Sequence, residues 1–276
     1  MRAGSVLIPL AATAALALAG CGRSAPWAPA RTATAGQPAN VADDGGYRPP
    51  PRLLTAARGP DGQVTLAGQG LPGAAVRLSS PDGQEQTAEA GAAGEWTLTV
   101  PAHNASVYGL SQEADGRRDQ AQGYLLVLPG SGPAAAELRS GAGARTMPPN
   151  PLTGLRLDAV DLDASGAAVV SGWTAASQSV RVLIDGAPVD DGAASPTGRF
   201  SLALPKPLPA GPHLVQVLAA NTSAQVSLDV AAPAPFGGVL HAVPRGSGWR
   251  VDWLTPAGGV QTTFLFKPSV SGEAKP

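Results

Sequence analysis

The chain is poor in the residues from which chemical sites are usually assembled. Its 276 residues include one cysteine, three histidines and two methionines; charged residues make up 14% and aromatics 4%. A single cysteine excludes an intrachain disulfide. A net charge of −1 gives no electrostatic case for binding nucleic acid. The charged share is well below the usual ~25%, which separates the chain from highly charged disordered proteins. His103, His213 and His241 lie far apart, none with a cysteine, a second histidine or a carboxylate at metal-ligand spacing. HExxH, GxSxG, SxxK and phosphate-binding loop motifs are all missing. These absences point to no catalytic residue and no cofactor, and to binding rather than catalysis.

What the chain has in abundance is glycine, 35 residues, and proline, 28. Frequent breakers exclude long helices and suit an all-β architecture of many short strands. A long apolar run occurs once, over residues 6–18, interrupted by Pro9 and Thr13 and preceded by Arg2. It is shorter than the ~20 residues a transmembrane helix needs and has the layout of a secretory signal peptide. It ends Leu18-Ala19-Gly20-Cys21, which resembles the lipobox of bacterial lipoproteins. The resemblance implies removal of residues 1–20 and acylation of Cys21, so that the protein is held to a lipid bilayer in the bacterial cell envelope. Each buried methylene contributes ~0.8 kcal/mol, and two or three acyl chains give stable attachment. Gly rather than Asp at position 22 implies, by the same resemblance, the outer membrane of a cell that has one, facing the periplasm or the surface. Residues 21–50, rich in Ala, Pro, Gly and Thr, are expected to form a flexible tether.

From residue 51 short alternating runs begin. Trp96, Leu98 and Val100 fall on one face of a strand, and Glu95, Thr97 and Thr99 on the other. The texture then recurs at an offset of 104 residues. Gly68 meets Gly172, Val76-Arg77 meets Val180-Arg181, Gly94 meets Gly198, and Trp96 meets Phe200. That period is too long for a solenoid and fits one small β-sandwich. Residues 200–221 combine an aromatic-Ser-Leu strand with Leu208-Pro-Ala-Gly-Pro-His-Leu-Val-Gln-Val-Leu-Ala-Ala-Asn, and so resemble bacterial immunoglobulin-like domains. The resemblance covers 152–232 well and 52–130 more weakly, and implies a fold rather than an activity. Members of that group act as spacers, adhesion modules or partner-binding modules.

The expectation is therefore two tandem immunoglobulin-like sandwiches, 51–130 and 152–232, joined by a Pro/Gly/Ala-rich linker, 131–151. A C-terminal β-hairpin or three-stranded meander over 233–268 and an unstructured tail, 269–276, would complete the chain. Trp249, Val251 and Trp253 share one face of that hairpin. They are either its core face or an aromatic platform for a glycan such as peptidoglycan or for a partner chain. Asp161-Leu-Asp163-Ala-Ser165-Gly166 resembles the first half of a calcium loop, with Asp161, Asp163 and Ser165 as ligands. The ninth and twelfth positions are Val169 and Gly172, which leaves a polar turn between two strands as the competing reading. The expected partners are the bilayer, through Cys21, and another envelope protein or a glycan.

Overall fold

The computed structural model describes residues 47–148, 153–235, 237–246 and 248–267. The signal segment, Cys21, most of the tether and the 269–276 tail lie outside the described residues. Among these every regular element is a strand, and all pairings are antiparallel.

The first half opens with β1 (Arg52–Arg58), β2 (Gln63–Gln69), β3 (Ala75–Ser79), β4 (Glu85–Glu89), β5 (Glu95–Pro101), β6 (Ser106–Ala114) and β7 (Arg117–Gln120). Strands β1-β2-β5 form one sheet; β4-β3-β6, with β7 on β6, form the facing one. The second half repeats this with β11 (Arg156–Asp163), β12 (Ala168–Trp173), β13 (Ser179–Ile184), β14 (Ala187–Ala193), β15 (Arg199–Ala203), β16 (Gly211–Ala219) and β17 (Thr222–Val230). Here β11-β12-β15 faces β14-β13-β16-β17. Each half is an immunoglobulin-like sandwich, with a core where alternate side chains of the two sheets interdigitate.

The offset of 104 holds down to irregularities. The register shifts between Leu53 and Thr55 in β1 and between Leu157 and Ala159 in β11. A Cβ at Gly68 would lie 2.2 Å from Arg52 O and 2.3 Å from the Trp96 ring; at Gly172 it would lie 2.1 Å from Arg156 O and 2.6 Å from the Phe200 ring. The same large aromatic fills the same core in both halves because glycine leaves room for it.

The halves differ in what is added to them. The first gains β8 (Tyr124–Val127), β9 (Ala135–Leu138) and β10 (Arg145–Met147), which extend the β6 edge in the order β8-β9-β10. Most of these residues fall in 131–151, the stretch expected to be a linker, and that expectation is corrected. Its small residues are close-packing residues: β9 is buried on both faces, with Ala135 in the first core and Ala136 and Leu138 on the opposite side. The second half gains β18 (Leu240–Arg245), β19 (Gly248–Leu254) and β20 (Val260–Leu265), and β20 pairs with β11. The C-terminal piece is thus a three-stranded meander built into a six-stranded sheet.

The two additions pack on each other. Leu126, Leu128, Ala136, Leu138 and Ala144 from the first half meet Ala159, Trp249, Val251, Trp253 and Leu265 from the second in a third core. Four sheets are therefore stacked face to face, and the two central ones are buried on both sides where β8 and β9 meet β11, β19 and β20.

Candidate functional site

The expected platform residues lie inside this third core. Trp253 is 2% exposed and Trp249 7%. Trp253 meets Tyr124 edge-on, with ring centroids 6.2 Å apart at 82°, and its indole N–H donates to Thr263 Oγ1 at 3.0 Å. Neither indole offers a face to a sugar, so the glycan platform is corrected to the core-face reading. The alternation was the right signal; the layer that covers it came from residues read as linker.

The calcium loop is corrected as well. Asp163 Oδ1 accepts from the Ser165 N–H, the Ser165 hydroxyl and the Ala167 N–H, which closes a turn and holds this carboxyl below its usual range. Asp161, two residues earlier on the same face, is buried in the seam between the halves. Its Oδ2 accepts from the Ala144 N–H at 2.6 Å, and its Oδ1 from Gln261 Nε2 at 3.0 Å and from the Thr263 hydroxyl. The two carboxylates share one face of β11, but Asp161 is taken up by partners in the seam and Asp163 by its own turn at the exposed strand end, so they do not converge on one ion.

That seam is the most concentrated polar site in the described residues, and composition gave no hint of it. The loop between β9 and β10 lies across the second sandwich. The Gly141 N–H donates to Gln261 Oε1 at 3.3 Å; Ser171 Oγ donates to Ala144 O at 2.6 Å and Ser201 Oγ to Ala142 O at 2.9 Å; Arg199 Nη2 donates to Gly143 O. Gly143 has φ +77°, and a Cβ there would meet Ser171 at 2.7 Å and Ser201 at 2.8 Å. Beside it Asp158 Oδ1 accepts from the Thr146 hydroxyl and from Arg156 Nε, both at 2.8 Å, and the Arg156 guanidinium lies 5.2 Å from the Trp173 ring centroid. Burial pushes the Asp158 and Asp161 carboxyls above their usual values, against the opposing pull of these hydrogen bonds and, at Asp158, of Arg156. These ionisable groups bind the two sandwiches together. Asp158 and Asp161 are nearly inaccessible to solvent, so they face no substrate.

The histidines are dispersed as the sequence suggested. His213 sits between the Asp185 carboxylate, Nδ1···Oδ2 2.8 Å, and the Pro209 carbonyl, Nε2···O 3.0 Å. The Leu214 N–H and then His213 hold the Asp185 carboxyl below its usual range. His241 approaches Asp252 at 3.9 Å, and the imidazole of His103 lies beside Gly62.

The described surface also carries several grooves. A groove of about 410 Å³ runs between the Ser79–Pro81 turn, β6 and the meander, with Tyr108, Tyr124 and Trp253 in its walls. Val239 and Leu254 stand on its rim, 41% and 39% exposed. A second, of about 550 Å³, lies between β17 and strands β19 and β20.

No protein-family model and no curated protein matches the chain. Among solved structures the chain is similar to one titled "Biofilm associated protein - BSP domain", at 14% identity and TM-score 0.23, over 66% of this chain and 30% of that one. It is also similar to the "Central Fibronectin-III array of RIM-binding protein", at 13% identity and TM-score 0.25, over 83% and 97% of the two chains. The chain spans about 30% of the length of the first. At these scores the fold assignment rests on strand order and register alone.

Proposed function

We propose that this protein is a lipid-anchored component of the bacterial cell envelope that serves as a non-enzymatic, protein-binding structural module. The observation that carries this reading is the use made of the buried ionisable groups. Asp158, Asp161 and Arg199 are committed to fixing one sandwich on the other, and Arg156 is spent on pairing with Asp158. The outcome is a rigid platform bearing sheet edges and apolar grooves, the features through which β-sandwiches bind other chains. The lipobox Leu18-Ala19-Gly20-Cys21 supports the anchor, with the outer membrane as its place in a cell that has one. The residues between Cys21 and β1 would set the reach of the platform from the bilayer.

The test is affinity purification of the full-length lipidated protein from detergent-solubilised envelope, beside a Cys21→Ala variant. The reading expects a stoichiometric protein partner with the wild type and loss of membrane fractionation in the variant. Recovery of the wild type without a partner, or lipid-phase partitioning of Cys21→Ala, would contradict it.

A further inference from the structure

Sheet edges are where one β protein adds to another, and several edges of this molecule are protected. Strand β4 carries Glu85 and Glu89, β14 carries Pro188 and a bulge against β13, and β18 carries Pro244. Strand β1 has a bulge and an Ala56 N–H bonded to Pro148 O. Strand β17 carries a single carboxylate, Asp229, near its end and no other such device. It runs nine residues without proline, lysine, arginine or bulge, and pairs with β16 along its whole length.

Its outward groups can be assigned. The Asp185 N–H donates to Leu214 O, so Leu214 turns its backbone toward β13. Alternation then turns His213, Val215 and Val217 toward β17, where they pair with Leu228, Val226 and Ala224. Ser223, Gln225, Ser227 and Asp229 are left with their backbone N–H and C=O groups pointing away from β16, and these make no backbone bond to another described residue.

The space beside that edge is roofed. Strand β17 ends its own four-stranded sheet and packs under β11, but the opposite sheet continues past β11 with β20, β19 and β18. No described residue fills the strand lane next to β17 and beneath the overhang. That lane is the 550 Å³ groove, walled by Val226, Leu228, Trp249, Arg250, Phe264 and Phe266. Neighbouring strands lie ~4.8 Å apart and facing sheets ~10 Å apart, so the lane has the depth to take an added strand beside β17.

We propose that β17 and this groove form a strand-addition site for a single extended segment of another protein. Its main chain bonds the outward groups of Ser223, Gln225, Ser227 and Asp229, while alternate apolar side chains enter the groove. A second copy of this chain does not fit. Pairing β17 with its own copy would bring the copy's β11 layer into the space held by β20, so the added strand must have no second sheet behind it. Arg245, at the groove end, donates to Pro244 O and forms no ion pair with another described residue, which favours a segment carrying a carboxylate there. This inference rests on the protein-binding reading above and gives it a site.

The test uses the mature protein and a fluorescein-labelled peptide of about ten residues, alternating Val with Thr and carrying one terminal Asp. Saturable binding is expected below about 1 mM, with slowed amide exchange at Ser223, Gln225, Ser227 and Asp229. Ser227→Pro removes an outward donor that the fold does not use, and it should weaken binding at least about tenfold, a loss of ~1.4 kcal/mol. The exchange measurement on wild type stands even if that variant folds poorly. Three outcomes would overturn the proposal: no binding at about 1 mM, protection elsewhere, or preferential binding of a peptide with the sequence of residues 268–276, which would make the groove a self-contact. In the envelope purification, a partner retained equally by Ser227→Pro would refute this site and leave the protein-binding reading standing. Failure of the wild type to retain any partner would refute that reading itself.

Discussion

The two sandwiches are one design used twice, and the instructive difference is in the outer face of their equivalent three-stranded sheets. In the first half that face is wet: Leu54 is 48% exposed, and the Thr65 and Thr99 hydroxyls meet 3.3 Å apart in solvent. In the second half the same face is covered along β11 and β12, with Ser201 of β15 at its exposed margin. The position of Leu54 is taken by Asp158 and that of Ala57 by Asp161, both buried, and Ser171 and Ser201 replace Ala67 and Thr97. Each replacement is a hydrogen-bonding group, and its partner is on the β9–β10 hairpin or in the meander. A repeated fold thus becomes a single body through a few polar substitutions on one face and one added hairpin. Burying Asp158, Asp161 and Ser171 is tolerable because each accepts or donates at least one hydrogen bond, although Asp158 Oδ2 has no partner among the described residues.

The comparison can be broken at its largest contact first. Trp253→Ala should cost about 3–5 kcal/mol, because the ring is enclosed between the halves. Urea unfolding should show the two sandwiches melting in separate steps. Next, Gly68→Ala and Gly172→Ala should cost about 1–3 kcal/mol each. The two costs should agree closely, since each Cβ would strike an equivalent carbonyl and an equivalent aromatic ring. Clearly unequal thermal shifts would show that the cores are less alike than their registers.

Asp161→Asn comes third and touches only the second half. An amide would turn its NH₂ toward donors, at about 1–3 kcal/mol near neutral pH. Its pH signature is specific. Burial raises the Asp161 carboxyl above its unfolded value of ~3.9. The native state therefore keeps the proton longer, and this contribution is greatest below the unfolded value and declines as pH rises through the folded one. Urea midpoints across pH should lose that part of their slope in the variant. Asp185, held low by the Leu214 N–H and His213, has the opposite sign: its contribution is present above the unfolded value and is lost as pH falls. The smallest effects belong to the exposed cross-strand pairs Arg77–Glu85 and Arg181–Asp191, at 3.0 and 2.6 Å. Arg77→Ala should change stability by less than about 1 kcal/mol, reduced further by salt, and Arg181→Ala should leave the urea midpoint almost unmoved.

Much of this architecture was legible in the chain. Strand alternation around Trp96 and Phe200, the 104-residue offset and the meander face of Trp249, Val251 and Trp253 all follow from period-two patterning, which reports which face is buried. What the face is buried against is a tertiary fact. The alanines and glycines of 131–151 carry no alternation, because β9 is buried on both sides and Gly143 is pressed against Ser171 and Ser201. Small residues at a tight interface and small residues in a solvated linker have the same composition. For the same reason Asp161 read as a calcium ligand: its spacing to Asp163 was visible, and the loop that claims it was not.

The central claim is that residues once indistinguishable from a linker join the two sandwiches into one cooperative unit. Native-state amide exchange tests it most directly, by comparing core amides of Val64 and Leu66 in β2 with those of Val170 in β12 and Val182 in β13. The account predicts one shared opening free energy for both groups in the wild type, separating into two in Trp253→Ala. Two distinct free energies in the unmodified protein would contradict it.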